Sequence, residues 1–151
     1  MKLKEKILTA AKETISIEAK AIANLENFID SEFAEAVEHI YKAKGRVIVT
    51  GIGKSAVIAT KIVATLNSTG TPAIFMHAAD AIHGDLGTIQ KDDVVICISK
   101  SGNSPEIKVL VPYIKDFKNL LVGITADRDS FPRKESLSAV MPTSRFLKSL
   151  I

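Results

Sequence analysis

From Leu3 the apolar positions Leu3, Ile7, Leu8, Ala11, Ile15, Ala19, Ile22 and Ala23 recur mainly at steps of three and four, the period of a helix buried on one face. No proline or glycine interrupts the chain before Gly45. Asp30-Ser31, followed by Glu32 and Glu35, reads as a helix cap with an acidic first turn, so the first 44 residues divide into two helices. The second is predicted to run to about Lys44, with Gly45 as its C-terminal stop. The first helix finds no obvious core of its own. It is expected to pack on another subunit or to lie across the domain.

At Gly45 the pattern changes to short, continuous apolar runs: Arg46 to Thr50, Ala73 to His77, Val94 to Ser99 and Asn119 to Thr125. Helical stretches lie between them, to about Asn67 and from Pro105 to about Asp116, with a short helix or loop from Ala78 to Gly84. Unbroken apolar strands joined by crossovers predict a parallel sheet covered on both faces, an α/β/α sandwich. Ser104 reads as a helix N-cap, with Pro105 at the first helical position. After Thr125 the regularity fails, and the fifth β-α unit such a sheet calls for is not readable. Three parts follow: helices over 1–44, a core over 45–125 and a divergent tail over 126–151.

Composition narrows the classes. At 151 residues, 46% hydrophobic and 25% charged, the chain suits one globular domain. The formal charge is +3, with 15 basic against 14 acidic residues up to Thr125 and 5 against 3 beyond it. That is no basic patch, and no nucleic-acid partner is implied. The single cysteine excludes an internal disulfide framework, and within Val94 to Ile98 it reads as a small buried hydrophobe. No run reaches the ~18 apolar residues of a membrane span, and the N-terminus resembles no targeting peptide, so the cytoplasm is the expected location.

In an open parallel sheet, ligands bind at the carboxyl ends of the strands, and three loops there carry candidate chemistry. The first is Thr50-Gly51-Ile52-Gly53-Lys54-Ser55, where glycines admit a ligand to the backbone and a helix start favours an anion. It is not a nucleotide P-loop, which needs glycine where Ile48 stands. Gly51-x-Gly53-x-x-Ala56 partly matches a dinucleotide fingerprint, but lysine occupies the crowded helix entry. The second is Ser99-Lys100-Ser101-Gly102-Asn103-Ser104-Pro105-Glu106, three hydroxyls around a glycine, suited to cradle a phosphate. A simple capped helix would need Ser104 alone. The third holds His77 and His83 around Gly84-Asp85-Leu86-Gly87, and a spacing of six without a third ligand argues poorly for zinc.

The stretches GIGKSA, STGTPAIFMHAADAIHGDLG and ISKSGNSPEI, in that order and spacing, resemble the sugar isomerase (SIS) domain family, and within it the arabinose-5-phosphate isomerases. The likeness covers roughly Lys4 to Asp129. It implies a flavodoxin-like parallel sandwich of five strands, the fifth missing here, in an enzyme that is usually tetrameric. The implied activity interconverts ribulose 5-phosphate and arabinose 5-phosphate on the way to the lipopolysaccharide sugar Kdo. No redox cofactor or required metal is implied. No CBS pair, which often follows in the family, is expected.

Transferred residue by residue, the resemblance puts Ser99, Ser101 and Ser104 on the phosphate and Gly51, Gly53 and Ser55 along the sugar. Gly70 and Thr71 match a substrate-adjacent turn. Lys54, His83 and Glu106 match catalytic positions, His83 serving a neighbouring subunit's site, and His77 matches a position that can take inhibitory zinc. Asn103 stands where many members have Glu. The family's later Glu-Ala-Cys-Pro, Ser/Thr-rich and His-Pro-Gly-Gly segments are not found in Ala126 to Ile151, a tail that a truncated or frame-shifted gene would produce. Two functions are therefore expected from different classes: an aldose–ketose isomerase, or a phosphosugar-binding module without turnover.

Overall fold

The computed structural model describes residues 2–126. The first helix, α1, spans Leu3–Ala23 and runs into a 3-10 turn at Asn24–Phe28. Helix α2 spans Ser31–Lys42, and the Asp30 carboxylate accepts the Phe33 N–H at 3.1 Å, the cap its sequence predicts. Strands β1 (Val47–Gly51), β2 (Ala73–His77), β3 (Val94–Ser99) and β4 (Leu120–Thr125) alternate with α3 (Lys54–Ser68), α4 (Ala78–Ile82) and α5 (Pro105–Asp116). A further 3-10 turn covers Asp85–Thr88. The expectations for the tail, a missing fifth strand and a divergent segment, fall outside the described residues.

All described strand pairs are parallel, in the order β2-β1-β3-β4. Alternation along each strand divides the core. Ile48, Met76, Val95, Cys97 and Leu121 meet α4 and α5 on one face. Val47, Val49, Ile96 and Val122 meet α2 and α3 on the other. Each strand is apolar on both faces because both are covered.

Two expectations change. Gly45 does not stop α2, which ends at Lys42 with Ala43 extended. Its role is packing: a Cβ there would lie 2.4 Å from the Asp92 carbonyl oxygen. The N-terminal helices also differ from each other. Ala36 of α2 is buried against the sheet, whereas α1 buries none of its residues.

The amino end of the sheet is clasped by Arg46 and Asp93. Asp93 accepts from the Arg46 backbone N–H at 2.7 Å, from its guanidinium at 2.7 and 3.2 Å, and from the Gln90 N–H at 2.8 Å. Arg46 and Asp93 immediately precede the paired residues Val47 and Val94, so the clasp sets the register of β1 on β3. Burial alone would raise the Asp93 pKa, but the bonds from Arg46 and Gln90 hold it below the ordinary carboxylate value.

Candidate active site

Strand order reverses between β1 and β3, so the crevice at their carboxyl ends is the ligand position for a sheet of this type. Two loops enter it, from Gly51 into α3 and from Ser99 into α5.

The first loop is tight because its glycines permit it. A Cβ on Gly51 would lie 3.0 Å from the Ile98 carbonyl oxygen and 3.1 Å from Ser55, so a larger residue would push the loop off β3. Gly53 takes φ +58, which disfavours any side chain, and stands as N-cap of α3 with nothing within 4 Å of its missing Cβ. No side chain caps α3 and no acid lies in its first turn. Its first N–H groups and dipole therefore face the crevice without a built-in anion. Lys54 opens the helix, exposed, with Ser55 half-buried beside it.

The second loop arranges its hydroxyls. Ser99 is buried, and its Oγ accepts the Gly102 N–H at 3.1 Å. The Ser101 Oγ accepts the Asn103 N–H at 3.2 Å, while the Asn103 side-chain amide donates to the Ser101 carbonyl at 3.0 Å. Backbone N–H groups thus occupy one acceptor position on each hydroxyl, and each hydroxyl keeps its proton for a further bond. Ser104 is the N-cap residue of α5 as its sequence predicts, but its side chain makes no cap bond. Its Oγ is buried and has no partner. Glu106 lies half-buried in the first turn of α5. The Ala126 N–H donates to the Lys100 carbonyl at 3.0 Å, tying the end of β4 to this loop.

Two contributors to this end of the sheet lie in the candidate loops but were given no role of their own from sequence. Thr50 is fully buried at the end of β1, its Oγ1 without a partner. Its signal is one hydroxyl in an apolar run. Gly102, buried at φ +62, makes the turn that brings its N–H onto Ser99. Its signal is a lone glycine among serines.

The remaining candidates lie around or away from this crevice. His77 ends β2 opposite Gly51, its Nδ1 buried without a hydrogen bond and 3.7 Å from an Asp80 carboxylate oxygen. Among the described residues no group of three or more His, Cys, Asp or Glu is placed to hold a metal. His83 is exposed at the end of α4, followed by Gly84 at φ +147. Gly70 and Thr71 precede β2 and so lie at the amino end of the sheet, away from this crevice. There they line a groove of about 430 Å³ with Val37, Ile40, Tyr41 and Pro72. Cys97 is buried in the core and its thiol is pushed up to about 12 by burial, a packing residue as expected.

The SIS domain profile matches residues 39–149, running past Asp129 where the motif likeness stops. Arabinose 5-phosphate isomerase KdsD of Yersinia pestis is 45% identical over 121 residues, 80% of this chain and 37% of that protein. The KdsD of Pseudomonas aeruginosa is 46% identical over 121 residues, again 37% of its length. The chain therefore spans little more than a third of these curated relatives. Among solved structures, Escherichia coli CFT073 c3406 in complex with arabinose 5-phosphate superposes with a TM-score of 0.83 at 39% identity, covering 94% of this chain and 76% of that one. The Vibrio vulnificus NanR protein complexed with ManNAc-6P shares the fold at TM-score 0.73 and 19% identity, covering 88% of this chain and 52% of that one.

Proposed function

The chain belongs to the SIS domain family, and on that basis we propose that its crevice binds a phosphosugar and interconverts ribulose 5-phosphate and arabinose 5-phosphate. The observation that carries this reading is the orphaned, buried Ser104 Oγ at the start of α5. An unpaired buried hydroxyl costs about 1–3 kcal/mol, a cost that a phosphate oxygen accepting its proton removes. Ser99 and Ser101, each with a hydroxyl proton to donate, complete the cradle. Gly51, Gly53 and Ser55 line the sugar, and the first turns of α3 and α5 both favour its anionic end. The likeness to KdsD and to the complex with arabinose 5-phosphate supports the same class of ligand.

Isomerisation moves a proton between C1 and C2 through an enediol. The Glu106 carboxylate removes the proton from the carbon beside the carbonyl and returns it to the neighbouring carbon, while the hydroxyl proton passes between the C1 and C2 oxygens. The Lys54 ammonium steadies the negative charge that develops on oxygen. His83, exposed on its own chain, assists ring opening or orientation in a neighbouring subunit's site. The same reading gives a homo-oligomer, a tetramer in the resemblance, working in the cytoplasm to supply Kdo for lipopolysaccharide. No helix among the described residues is long and apolar enough to cross a membrane. His77, with Asp80 beside it, is the position for inhibitory zinc.

A coupled assay tests the reaction. Conversion of ribulose 5-phosphate is expected and should drop ~100-fold or more in Glu106→Gln, the scale of an acid–base group. Equal rates in both proteins would remove Glu106 from the mechanism. Calorimetry with arabinose 5-phosphate and CMP-Kdo accompanies it: binding without turnover favours a phosphosugar-binding module, and no binding to either ligand overturns both readings.

A further inference from the structure

Along β3, Val94, Ile96 and Ile98 belong to the core shared with α2 and α3, and Val95 and Cys97 to the core shared with α4 and α5. The bond from the Ala126 N–H to the Lys100 carbonyl carries the pairing with β4 one residue past Ser99. Strand alternation therefore assigns Ser99 to the α5 face and Lys100 to the α3 face, the face on which Lys54 opens its helix. The backbone under Lys100 is held twice. Ala126 fixes its carbonyl at 3.0 Å, and the Gly102 N–H closes a turn onto the Ser99 Oγ at 3.1 Å, with Lys100 and Ser101 at the tip.

Charge on this side of the crevice is unbalanced. Lys100 is the one cation from Ser99 to Glu106, and Lys54 the one cation from Gly51 to Ser55. Both are exposed, and neither has an ion-pair partner among the described residues. Helix α3 adds the partial positive charge of an uncapped N-terminus with no acid in its first turn. Helix α5 instead carries Glu106 in its first turn. We propose that the Lys100 ammonium is the counter-charge of the substrate's phosphate and the residue that selects phosphorylated over unphosphorylated sugars. This rests on the phosphosugar reading of the same crevice. A phosphate monoester carries about −1.5 to −2 charges at pH 7. The hydroxyls of Ser99, Ser101 and Ser104 give it hydrogen bonds but no charge. Lys54 is committed to the oxygen at the reacting end, and Glu106 adds a like charge that an unbalanced phosphate would repel. Lys100 combines a fixed backbone with a flexible four-carbon stem, so its ammonium can settle on a phosphate oxygen.

Calorimetry and steady-state kinetics on the full chain test it. Lys100→Met should bind arabinose 5-phosphate at least ~10-fold more weakly, the value of one hydrogen bond to a charged group. The loss should fall on KM, with kcat held within about threefold, because the ion pair is made in ground and transition states alike. Inorganic phosphate should compete with the sugar phosphate in the wild type and at least ~10-fold less well in Lys100→Met. Lys100→Arg should stay within about threefold of wild-type affinity, since it keeps the charge. Lys91→Met removes the same charge from an exposed position before the amino end of β3 and should leave affinity unchanged. Unchanged affinity in Lys100→Met while the wild type binds would overturn the proposal and leave the phosphosugar reading standing. A loss confined to kcat would place Lys100 at the reacting end and overturn it as well. So would Lys100→Arg as weak as Lys100→Met, or an equal loss in Lys91→Met. A wild type that binds neither arabinose 5-phosphate nor inorganic phosphate would overturn the phosphosugar reading and this assignment with it.

Discussion

At the scale of single residues, the site holds groups whose bonds are incomplete within the folded chain. The Ser104 Oγ is buried and unpartnered, so its removal costs the empty protein little. Ser104→Ala should keep its melting temperature within about a degree. It should bind arabinose 5-phosphate at least ~10-fold more weakly by calorimetry, the value of one hydrogen bond to a charged group. A large loss of stability without loss of affinity would make Ser104 a structural cap instead. Gly51 behaves oppositely. A Cβ 3.0 Å from the Ile98 carbonyl oxygen meets backbone that cannot step aside, so Gly51→Ala should cost about 1–3 kcal/mol in urea unfolding and displace the loop that presents Lys54. Sequence marked this loop by its paired glycines, but which neighbour makes Gly51 necessary depends on β3, some fifty residues away.

At the scale of elements, the clasp at one end of the sheet sets the geometry at the other. Arg46 and Asp93 fix β1 on β3, and those strands deliver Gly51 and Ser99 to the crevice. Asp93 is held ionised below its ordinary pKa. The sign follows: its contribution is fully present above the unfolded carboxylate range near 4 and is lost as pH falls through the lowered folded value. Chemical-denaturation midpoints should fall more steeply below pH ~4 in the wild type than in Asp93→Asn, which has lost this ionisation. Arg46→Met leaves a buried carboxylate without its partner and should cost about 3 kcal/mol at pH 7. A cost near zero would mean that water reaches Asp93 and replaces the guanidinium.

At the scale of the whole molecule, protection from hydrogen exchange should follow strand order. β1 and β3 each have a paired strand on both sides and should exchange slowest. Helix α1, with no buried residue, should exchange fast in dilute solution and slow markedly as concentration rises through the association range. Fast exchange of α1 at every concentration would count against any assembly through it. Much of this molecule was legible in the chain itself. The runs 73–77 and 94–99 fall on β2 and β3 residue for residue, because short apolar runs bounded by turn residues mark strands packed in a covered sheet. The Asp30 cap and Pro105 at the start of α5 were readable because capping is local chemistry. Tertiary structure alone decided the rest. Gly45, read as a helix stop, is required by the Asp92 carbonyl, and no local pattern reports a contact made across the sheet. Gly70 and Thr71, matched to the substrate by motif, stand at the far end of β2, since a motif carries order along the chain but not the direction in which a strand crosses the fold. The orphaned hydroxyls of Thr50 and Ser104 appear only once the fold has removed water from them, because a hydroxyl is satisfied in the unfolded chain and becomes unsatisfied by burial.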